Sequence, residues 1–274
     1  MDSPEIPSPV DASLKYLVPT ELLKTEKPYM SSVPFTKDEK RTSNFLEKEY
    51  QVPIYDVRGH EVEFKLNTNG FEYMKHDFEH QPMEKIEQPD HPYLTEVSSV
   101  LKAFLQAKDV VIYDCNVRKI GNPKFFQAAR SAHVDHSSGN VRWRLQEALS
   151  RSRPNGIIYD RWLAVILWRP LSNPVTDWPL AVCDFTSIED EDLHAVDTVL
   201  PHRVNEIYHL EHNPGHKWYY MSDQCPNESL VMKIFDSDAA QAQYSAHAAF
   251  DSTKMRQQLG PPRQSADVRA FVFF

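Results

Sequence analysis

The sequence predicts a mainly β protein with some helices, built on a double-stranded β-helix (jelly-roll) core. Short runs of β-branched and aromatic residues, separated by turn residues, recur from residue 108 onward. Helical patterns are concentrated before that point, so helices and strands do not alternate as they do in a parallel α/β sheet. Only 7 of the 274 residues are glycine, which leaves no glycine-rich phosphate loop. Many short strands in succession favour an antiparallel sandwich or barrel.

We expect one domain for all 274 residues, with an N-terminal extension over 1–107 and the jelly-roll core over 108–274. The extension is rich in proline and is predicted to be an extended arm with short helical pieces such as 36–48. Residues 59–75 contain two strand-like runs around an Asn-Thr-Asn-Gly turn, which predicts a hairpin. Residues 94–107 place apolar side chains at helical spacing and predict an amphipathic helix.

The predicted core consists mostly of strand-like runs. It begins with a short apolar strand at 110–113, and one helix is expected at 141–150. The further predicted strands cover residues 128–134, 157–171, 180–185, 203–212, 217–221, 230–235 and 268–274.

The composition is that of an acidic globular protein. Hydrophobic residues make up 41% and charged residues 25% of the chain, and the formal net charge is −9. An acidic chain without a basic run is a poor candidate for binding nucleic acid or an anionic membrane. The three cysteines are far apart and form neither a disulfide framework nor a CxxC metal site. The N-terminus lacks a signal-peptide pattern and the longest apolar run, 162–168, is too short to span a membrane. We therefore expect a cytoplasmic protein.

A His-x-Asp triplet and a distant histidine form the candidate iron site. Non-haem iron(II) oxygenases bind the metal through two histidines and one carboxylate, which leaves three positions open for cosubstrate and oxygen. His133 and Asp135 are one residue apart, so both side chains point the same way from a strand. His247 lies among small residues and would be the third ligand. With twelve histidines in the chain, such a triplet also arises by chance. The alternatives are a surface role for His133 and a helix over 239–250 around His247.

The segment Arg263-Gln264-Ser265, at the start of the last predicted strand, is the candidate 2-oxoglutarate site. The distal carboxylate of this cosubstrate needs a cation, and the arginine fork can bind it through two hydrogen bonds. Ser265 lies two residues after Arg263 and could add a hydrogen bond from the same strand face. Arg269 shares that face and is the rival cosubstrate residue. The alternative for Arg263 is an ordinary solvated side chain.

Arg169 is a candidate substrate-binding residue within the long predicted strand. Its side chain could project into the barrel and meet a carboxylate of the substrate or cosubstrate. The alternative, which we favour, is a structural arginine paired with Asp184 at one end of the barrel.

An ordered series of short segments over roughly residues 108–274 carries a family resemblance. They are HVDHS at 133–137, WRPL at 168–171, PLAVCD at 179–184, NPGHKWYY at 213–220, KIFDS at 233–237, HAAF at 247–250 and RQSADVR at 263–269. In these segments the chain resembles the fungal AsaB-type hydroxylase/desaturase family, which is also described as CmcJ-like after a cephalosporin methoxylase component.

The resemblance implies an iron(II)/2-oxoglutarate oxygenase of natural-product biosynthesis. Such a protein would use molecular oxygen to hydroxylate or desaturate a small-molecule intermediate. The family's metal positions fall on His133, Asp135 and His247, and its cosubstrate position falls on Arg263 with Ser265. The chain departs from the family at position 136, where a histidine follows the His-x-Asp triplet instead of a plain polar residue.

Two other functional classes stay open at this point. One is an iron-dependent oxygenase or isomerase that does not use 2-oxoglutarate, and the other is a non-catalytic jelly-roll binding protein. A hydrolase is disfavoured because the sequence has neither a Gly-x-Ser-x-Gly elbow nor a His-Glu-x-x-His helix. His209 and His212 would compete for a metal only on a helix, since on the predicted strand they face opposite ways. The oligomeric state is open, with a homodimer as one alternative.

Overall fold

A computed structural model describes residues 8–33, 42–82, 84, 86, 88 and 90–274. Within these ranges the chain forms fourteen β-strands and three α-helices, joined in places by short 3-10 turns. The strands are β1 Val10–Val18, β2 Tyr29–Ser31, β3 Leu46–Asp56, β4 Phe71–Lys75, β5 Asp109–Lys119, β6 His133–Val134, β7 Trp162–Pro170, β8 Leu180–Cys183, β9 Leu193–Leu200, β10 Arg203–Leu210, β11 Trp218–Tyr220, β12 Glu228–Asp236, β13 His247–Ala249 and β14 Gln264–Phe273. The helices are α1 Leu66–Asn69, α2 Pro92–Leu105 and α3 Ser138–Ser152. None of these helices is both long and apolar enough to cross a membrane.

The strands form two sheets that enclose one core. The larger sheet has the order β1-β3-β11-β8-β13-β6-β10-β9-β2, and the smaller has the order β4-β12-β7-β14-β5. Neighbouring strands are antiparallel except in the β3–β11 and β2–β9 pairs. Side chains from both sheets contribute to the main hydrophobic core, as expected when two sheets face each other. The predicted mainly β, jelly-roll fold is confirmed.

The smaller sheet has a hydrophobic core on each of its two faces, as the alternating side chains of β7 and β14 show. One face lines the interior between the sheets, and the other packs in a second core. In β7 the even-numbered residues from 162 to 168 join the core between the sheets. The odd-numbered residues from 163 to 167 pack against side chains of α2. In β14, residues 271 and 273 belong to the core between the sheets, which we call the inner core. The even-numbered residues from 266 to 272 belong to the second core, which we call the outer core. The odd-numbered residues of β14, including Ser265 and Arg269, therefore face the interior.

A bulge in β5 brings two consecutive side chains to the interior. On β14, Arg269 pairs with Asp114 but the next residue, Ala270, pairs with Ile112. Tyr113 is thus the extra residue of β5, and it packs against the inner core, while Asp114 hydrogen-bonds to Arg269. Bulges often redirect side chains in this way beside functional sites.

Most predicted elements of the core have a counterpart in the structure. The predicted helix at 141–150 is α3, and the apolar run at 110–113 is part of the longer strand β5. The predicted strand at 128–134 is ordered as a strand only at His133–Val134. Strand β9 was missed. Strand β13, with three residues, excludes the alternative of a helix around His247.

The predicted hairpin at 59–75 is wrong. The Asn-Thr-Asn-Gly segment forms the helical turn α1, and only the second run is a strand, β4, which pairs with β12. Gly70 ends α1 with a φ of 83°, a left-handed conformation that suits a helix C-terminus. A Cβ at this position would lie 2.2 Å from the carbonyl oxygen of Tyr244. The glycine therefore permits a close backbone contact with the segment that leads into β13.

Residues before 108 contribute strands to both sheets. Strands β1 and β3 pair with each other and extend the larger sheet through β11, whereas β4 joins the smaller sheet. The predicted helix at 94–107 is α2. Of the helix predicted at 36–48, residues 36–41 lie outside the described ranges, and the remainder is not helical because β3 begins at Leu46.

Candidate metal centre

The side chains of His133, on β6, of Asp135, in the turn that follows β6, and of His247, on β13, lie together at the larger sheet. His133 pairs directly with His247 across β6 and β13, and one ligand atom from each of the three residues lies within 4.8 Å of the others. The distance from Asp135 Oδ1 is 3.3 Å to His133 Nε2 and 3.7 Å to His247 Nε2. Two imidazole nitrogens and one carboxylate oxygen converge on one point, which is the donor set of a two-histidine, one-carboxylate iron site.

Backbone carbonyl groups orient both imidazoles toward this point. His133 Nδ1 lies 2.8 Å from the carbonyl oxygen of Ser131, and His247 Nδ1 lies 3.3 Å from that of Ser245. Because a carbonyl oxygen can only accept, each Nδ1 carries the hydrogen and donates it. Each Nε2 is therefore left with a lone pair that faces Asp135. A second hydrogen bond of this kind fixes the tautomer and the ring orientation of metal-binding histidines.

Arg269 fixes the third member of the triad. Its Nε donates to Asp135 Oδ2 at 2.6 Å, and its Nη1 contacts Asp114 at 2.8 Å and Asp267 at 2.9 Å. Burial opposes ionisation of Asp135, but the positive charge of Arg269 outweighs it and holds the pKa of Asp135 well below its usual range. Asp135 is thus a charged ligand whose Oδ1 is left to face the histidines. The guanidinium of Arg269 is occupied by three carboxylates.

Arg263 has free hydrogen-bonding capacity beside the same site. It is buried, with 4% of its surface exposed, and lines a narrow cavity together with His133 and His247. Its Nη1 donates to the carbonyl oxygen of Trp178, but within the described residues its Nε has no partner. Burial, and then the charge of a neighbouring arginine, lower the pKa of Arg263 to about 10. Ser265, two residues along, is fully buried and its hydroxyl also has no partner in the described part of the chain.

Arg169 does not line this cavity, and its side chain does not project into the barrel as the predicted contact with the substrate would require. Its Nε donates to the hydroxyl of Tyr93 at 3.2 Å, its Nη1 donates to the carbonyl of Pro226 at 2.9 Å, and its guanidinium lies over the ring of Phe78. The favoured alternative, a pair with Asp184, is wrong as well, because that carboxylate accepts from α1 and from its own turn. The odd-numbered residues of β7 face α2, so residue 169 points away from the interior.

A polar network that was not predicted from the sequence surrounds Arg269 on β5 and β14. Asn116 Nδ2 donates to Asp114 at 2.9 Å, and Arg118 Nε donates to Asp267 at 2.9 Å. The available signal was the alternation of polar residues at 114, 116 and 118 directly after an apolar run. The bulge in β5 changes which side chains of the strand face the interior. Without knowledge of the bulge, the alternation does not show that residues 114, 116 and 118 face inward.

Three buried histidines should make the metal-free protein less stable in acid. Burial, assisted for His209 and His247 by the nearby His133, lowers the pKa to about 4 for His136 and His247 and to about 3 for His209. In the unfolded chain these groups take up protons near pH 6.5. Between pH 6.5 and 4.5 the unfolded state therefore binds more protons, and the free energy of unfolding should fall as the pH falls. The slope should reach about 1.4 kcal/mol per pH unit for each histidine.

Urea unfolding of the metal-free protein, in the presence of a chelator, measures this slope. His209→Phe should reduce it by roughly a third because one of the three groups is removed. The ring of His209 packs edge-on against Phe45, so phenylalanine is a suitable replacement. An unfolding free energy that does not change over this pH window would contradict the prediction.

Comparisons with known proteins converge on oxidoreductases. A family model described as an oxidoreductase/YMDC permease-like domain matches residues 14–273. The Fe(II)/2-oxoglutarate-dependent dioxygenase nvfI of Aspergillus novofumigatus is 32% identical over 240 residues, which cover 84% of this chain and 86% of the relative. The hydroxylase/desaturase CTB9 of Cercospora beticola is 28% identical over 265 residues, which cover 85% of this chain and 80% of the relative.

The comparison with solved structures also identifies an iron- and 2-oxoglutarate-dependent enzyme as a similar protein. A solved structure of the iron and alpha-ketoglutarate-dependent endoperoxidase NvfI matches this chain with a TM-score of 0.84 at 27% identity, covering 97% of this chain and 98% of that one. The resemblance to hydroxylase/desaturases is thereby confirmed, and with it iron(II) and 2-oxoglutarate as the expected cofactors. The chain belongs to the oxidoreductase family that the matching model describes and, within it, to the iron(II)/2-oxoglutarate-dependent oxygenases that include these fungal dioxygenases and hydroxylase/desaturases.

Proposed function

We propose that this chain is an oxygenase that hydroxylates or desaturates a small natural-product intermediate, with iron(II) held by His133, Asp135 and His247. The observation that carries the proposal is the convergence of the three ligand atoms within 4.8 Å. The two imidazoles are turned toward this point by backbone carbonyls. Relatives named as a dioxygenase and as a hydroxylase/desaturase support the reaction class.

The residues of the site fit both cofactors. His133 Nε2, His247 Nε2 and Asp135 Oδ1 would hold iron(II) on one face and leave its other positions open. Arg263 and Ser265 would hold the distal carboxylate of 2-oxoglutarate, because both have buried donor groups without a partner in the described part of the chain. Iron(II) with 2-oxoglutarate and oxygen supplies the oxidising power that removes hydrogen from the substrate.

The remaining residues of the cavity control its charge and its access to water. Arg263 would neutralise the distal carboxylate, a buried charge that is costly to leave unpaired. Trp168, Ile166 and Met232 line the same narrow cavity with apolar surface. They exclude water from the place where the oxidant is used, which protects it from side reactions. Arg269 belongs to the metal site in this proposal and not to the cosubstrate site, because it is already bound to three carboxylates.

Anaerobic titration with iron(II) and 2-oxoglutarate, followed by the weak visible charge-transfer band, tests the proposal. The wild type should develop the band. His133→Ala and His247→Ala should not develop it at iron(II) concentrations that saturate the wild type, since each removes one of three protein ligands.

His209→Phe is the matched control. His209 is a buried histidine that pairs with His133 across β10 and β6, but it is not part of the ligand cluster, so this variant should keep the band. Iron binding without a band would point to an oxygenase that does not use 2-oxoglutarate. Absence of iron binding in the wild type would overturn the proposed function.

A further inference from the structure

A cavity of about 450 Å³ lies beside the candidate metal centre, along β5. Strand β5 is at the edge of the smaller sheet, and the rest of the lining comes from Ile86, from α2, from α3 and from residues 202 and 203 at the start of β10. Part of the lining is apolar, from residues such as Leu94, Val111 and Ala148, and part is basic, from Arg144 and Arg203. A cavity of this size with a few polar groups is typical of a small-molecule site.

An ion pair lies between this cavity and the narrow one next to the triad. Asp114 lines the larger cavity, Arg269 lines the narrow one, and the two side chains are 2.8 Å apart. Arg269 in turn contacts Asp135 at 2.6 Å. A molecule in the larger cavity would therefore lie against the charged groups that hold the metal ligand.

Arg203 is a cation of this cavity without a hydrogen-bond partner among the described residues. Both Arg144 and Arg151 donate to Glu147 at 2.7 Å. Within the described residues, no atom accepts a hydrogen bond from the guanidinium of Arg203, and its Nε is buried. Burial, and then the charge of Arg144, lower the pKa of Arg203. A half-buried cation in such a position would be stabilised by an anion that binds from the cavity.

Further donor groups point to the same kind of ligand. The hydroxyl of Tyr113 and the Nε of Arg144 are buried and have no partner in the described part of the chain. Arg144 as a whole is only 7% exposed, and its guanidinium lies over the ring of Tyr113 at 5.2 Å. The bulge in β5 is what turns Tyr113 toward this cluster. Such orphaned donors in a folded protein call for a bound acceptor.

We propose that this cavity binds a largely apolar carboxylic acid and that Arg203 holds its carboxylate group. The site is separate from the metal and cosubstrate sites of the proposed function. One guanidinium from which no described carboxylate accepts a hydrogen bond matches the single charge of a bound carboxylate. A dianionic phosphate is disfavoured because Asp114 and Glu147 also line the cavity and would repel it. The apolar lining requires an apolar body for the rest of the molecule.

The test uses the full chain loaded anaerobically with iron(II) and saturating 2-oxoglutarate. The probes are benzoate, phenylacetate and 3-phenylpropanoate, each compared with its neutral amide by isothermal titration calorimetry. At least one acid should bind to the wild type about tenfold more tightly than its amide, since a charge-assisted hydrogen bond exceeds a neutral one by this order. Arg203→Gln should abolish the preference, and Arg203→Lys should retain part of it.

Arg142→Gln is the matched control, because Arg142 lies on the same helix α3 but is exposed and its guanidinium lies over Phe235. This variant loses the same charge and should keep the preference for the acid. The charge-transfer band of Arg203→Gln should equal that of the wild type and so report an intact fold and metal site.

Three results would overturn the inference: no acid binds to the wild type, Arg203→Gln keeps the preference, or the acid binds only by displacing 2-oxoglutarate with loss of the band. A wild type without any band would instead refute the proposed function. The dependence of acid binding on Arg203 can still be measured in that case on the metal-free protein, so the two failures are distinguishable.

Discussion

Arg263→Met is expected to raise the concentration of 2-oxoglutarate that half-saturates the charge-transfer band by about 100-fold or more. In the wild type the distal carboxylate would meet a buried guanidinium with an unused Nε donor. In the variant the same carboxylate would be buried opposite a thioether. Removing one partner of a buried ion pair costs about 3–5 kcal/mol, and each 1.4 kcal/mol is a factor of ten in affinity.

The variant should fold as well as the wild type. In the absence of a ligand, Arg263 is a buried cation whose pKa is lowered by burial, so its replacement by an apolar side chain removes an unfavourable charge. Its affinity for iron(II) alone should also be unchanged, because the arginine contacts none of the three ligands. These two controls separate a lost cosubstrate contact from a damaged site.

Two further variants sharpen this measurement. Arg263→Lys keeps the charge but not the planar fork and should give an intermediate midpoint. Ser265→Ala removes one hydrogen bond to the charged distal carboxylate and should shift the midpoint by about tenfold. If Arg263→Met titrates with the same midpoint as the wild type, the distal carboxylate is held elsewhere.

The pairing of His133 with Asp135 could be predicted because that information is local. The spacing of His133 and Asp135 states that both side chains lie on one face of a strand, whatever the rest of the fold is. The same alternation after Arg263 places Ser265 on its face. The small residues around His247 made it the candidate third ligand, and the resemblance to a known family supported its link to a pair more than a hundred positions earlier.

The roles of Arg169 and Arg269 could not be predicted because they depend on distant strands. Both faces of β7 are apolar, so the alternation of that strand does not reveal which face carries the active site. Residue 169 lies on the α2 face. For Arg269, the deciding partners Asp114 and Asp135 come from β5 and from the turn after β6. The bulge that aligns Asp114 arises only when β5 pairs with β14.

The hairpin prediction failed for a related reason. A glycine after Asn-Thr-Asn suits both a hairpin turn and a helix end, since each requires a left-handed conformation. The choice is made by the close backbone contact between Gly70 and Tyr244, which no local pattern shows.

Arg269→Met is expected to destabilise the metal-free protein by about 3–5 kcal/mol, the cost of leaving a buried charge unpaired. Three carboxylates share this guanidinium, and Asp135 and Asp267 are both more than nine-tenths buried. Without Arg269, burial would raise the pKa of Asp135, so protons would compete with iron(II) for the ligand. The affinity for iron(II) should therefore fall by about 10- to 100-fold, as for other residues that orient a metal ligand, and fall further as the pH decreases.

Arg118→Met separates the metal-site effect from the general loss of charge. Arg118 pairs with Asp267 at 2.9 Å, but among its described contacts there is none with Asp135. The variant should lose stability, because Asp267 is then neutralised by Arg269 alone, yet bind iron(II) with nearly the affinity of the wild type. Denaturant unfolding and iron titration on both variants give the comparison. Equal iron affinities for Arg118→Met and Arg269→Met would show that Arg269 acts through stability only, whereas a selective loss in Arg269→Met assigns it to the orientation and charge of Asp135.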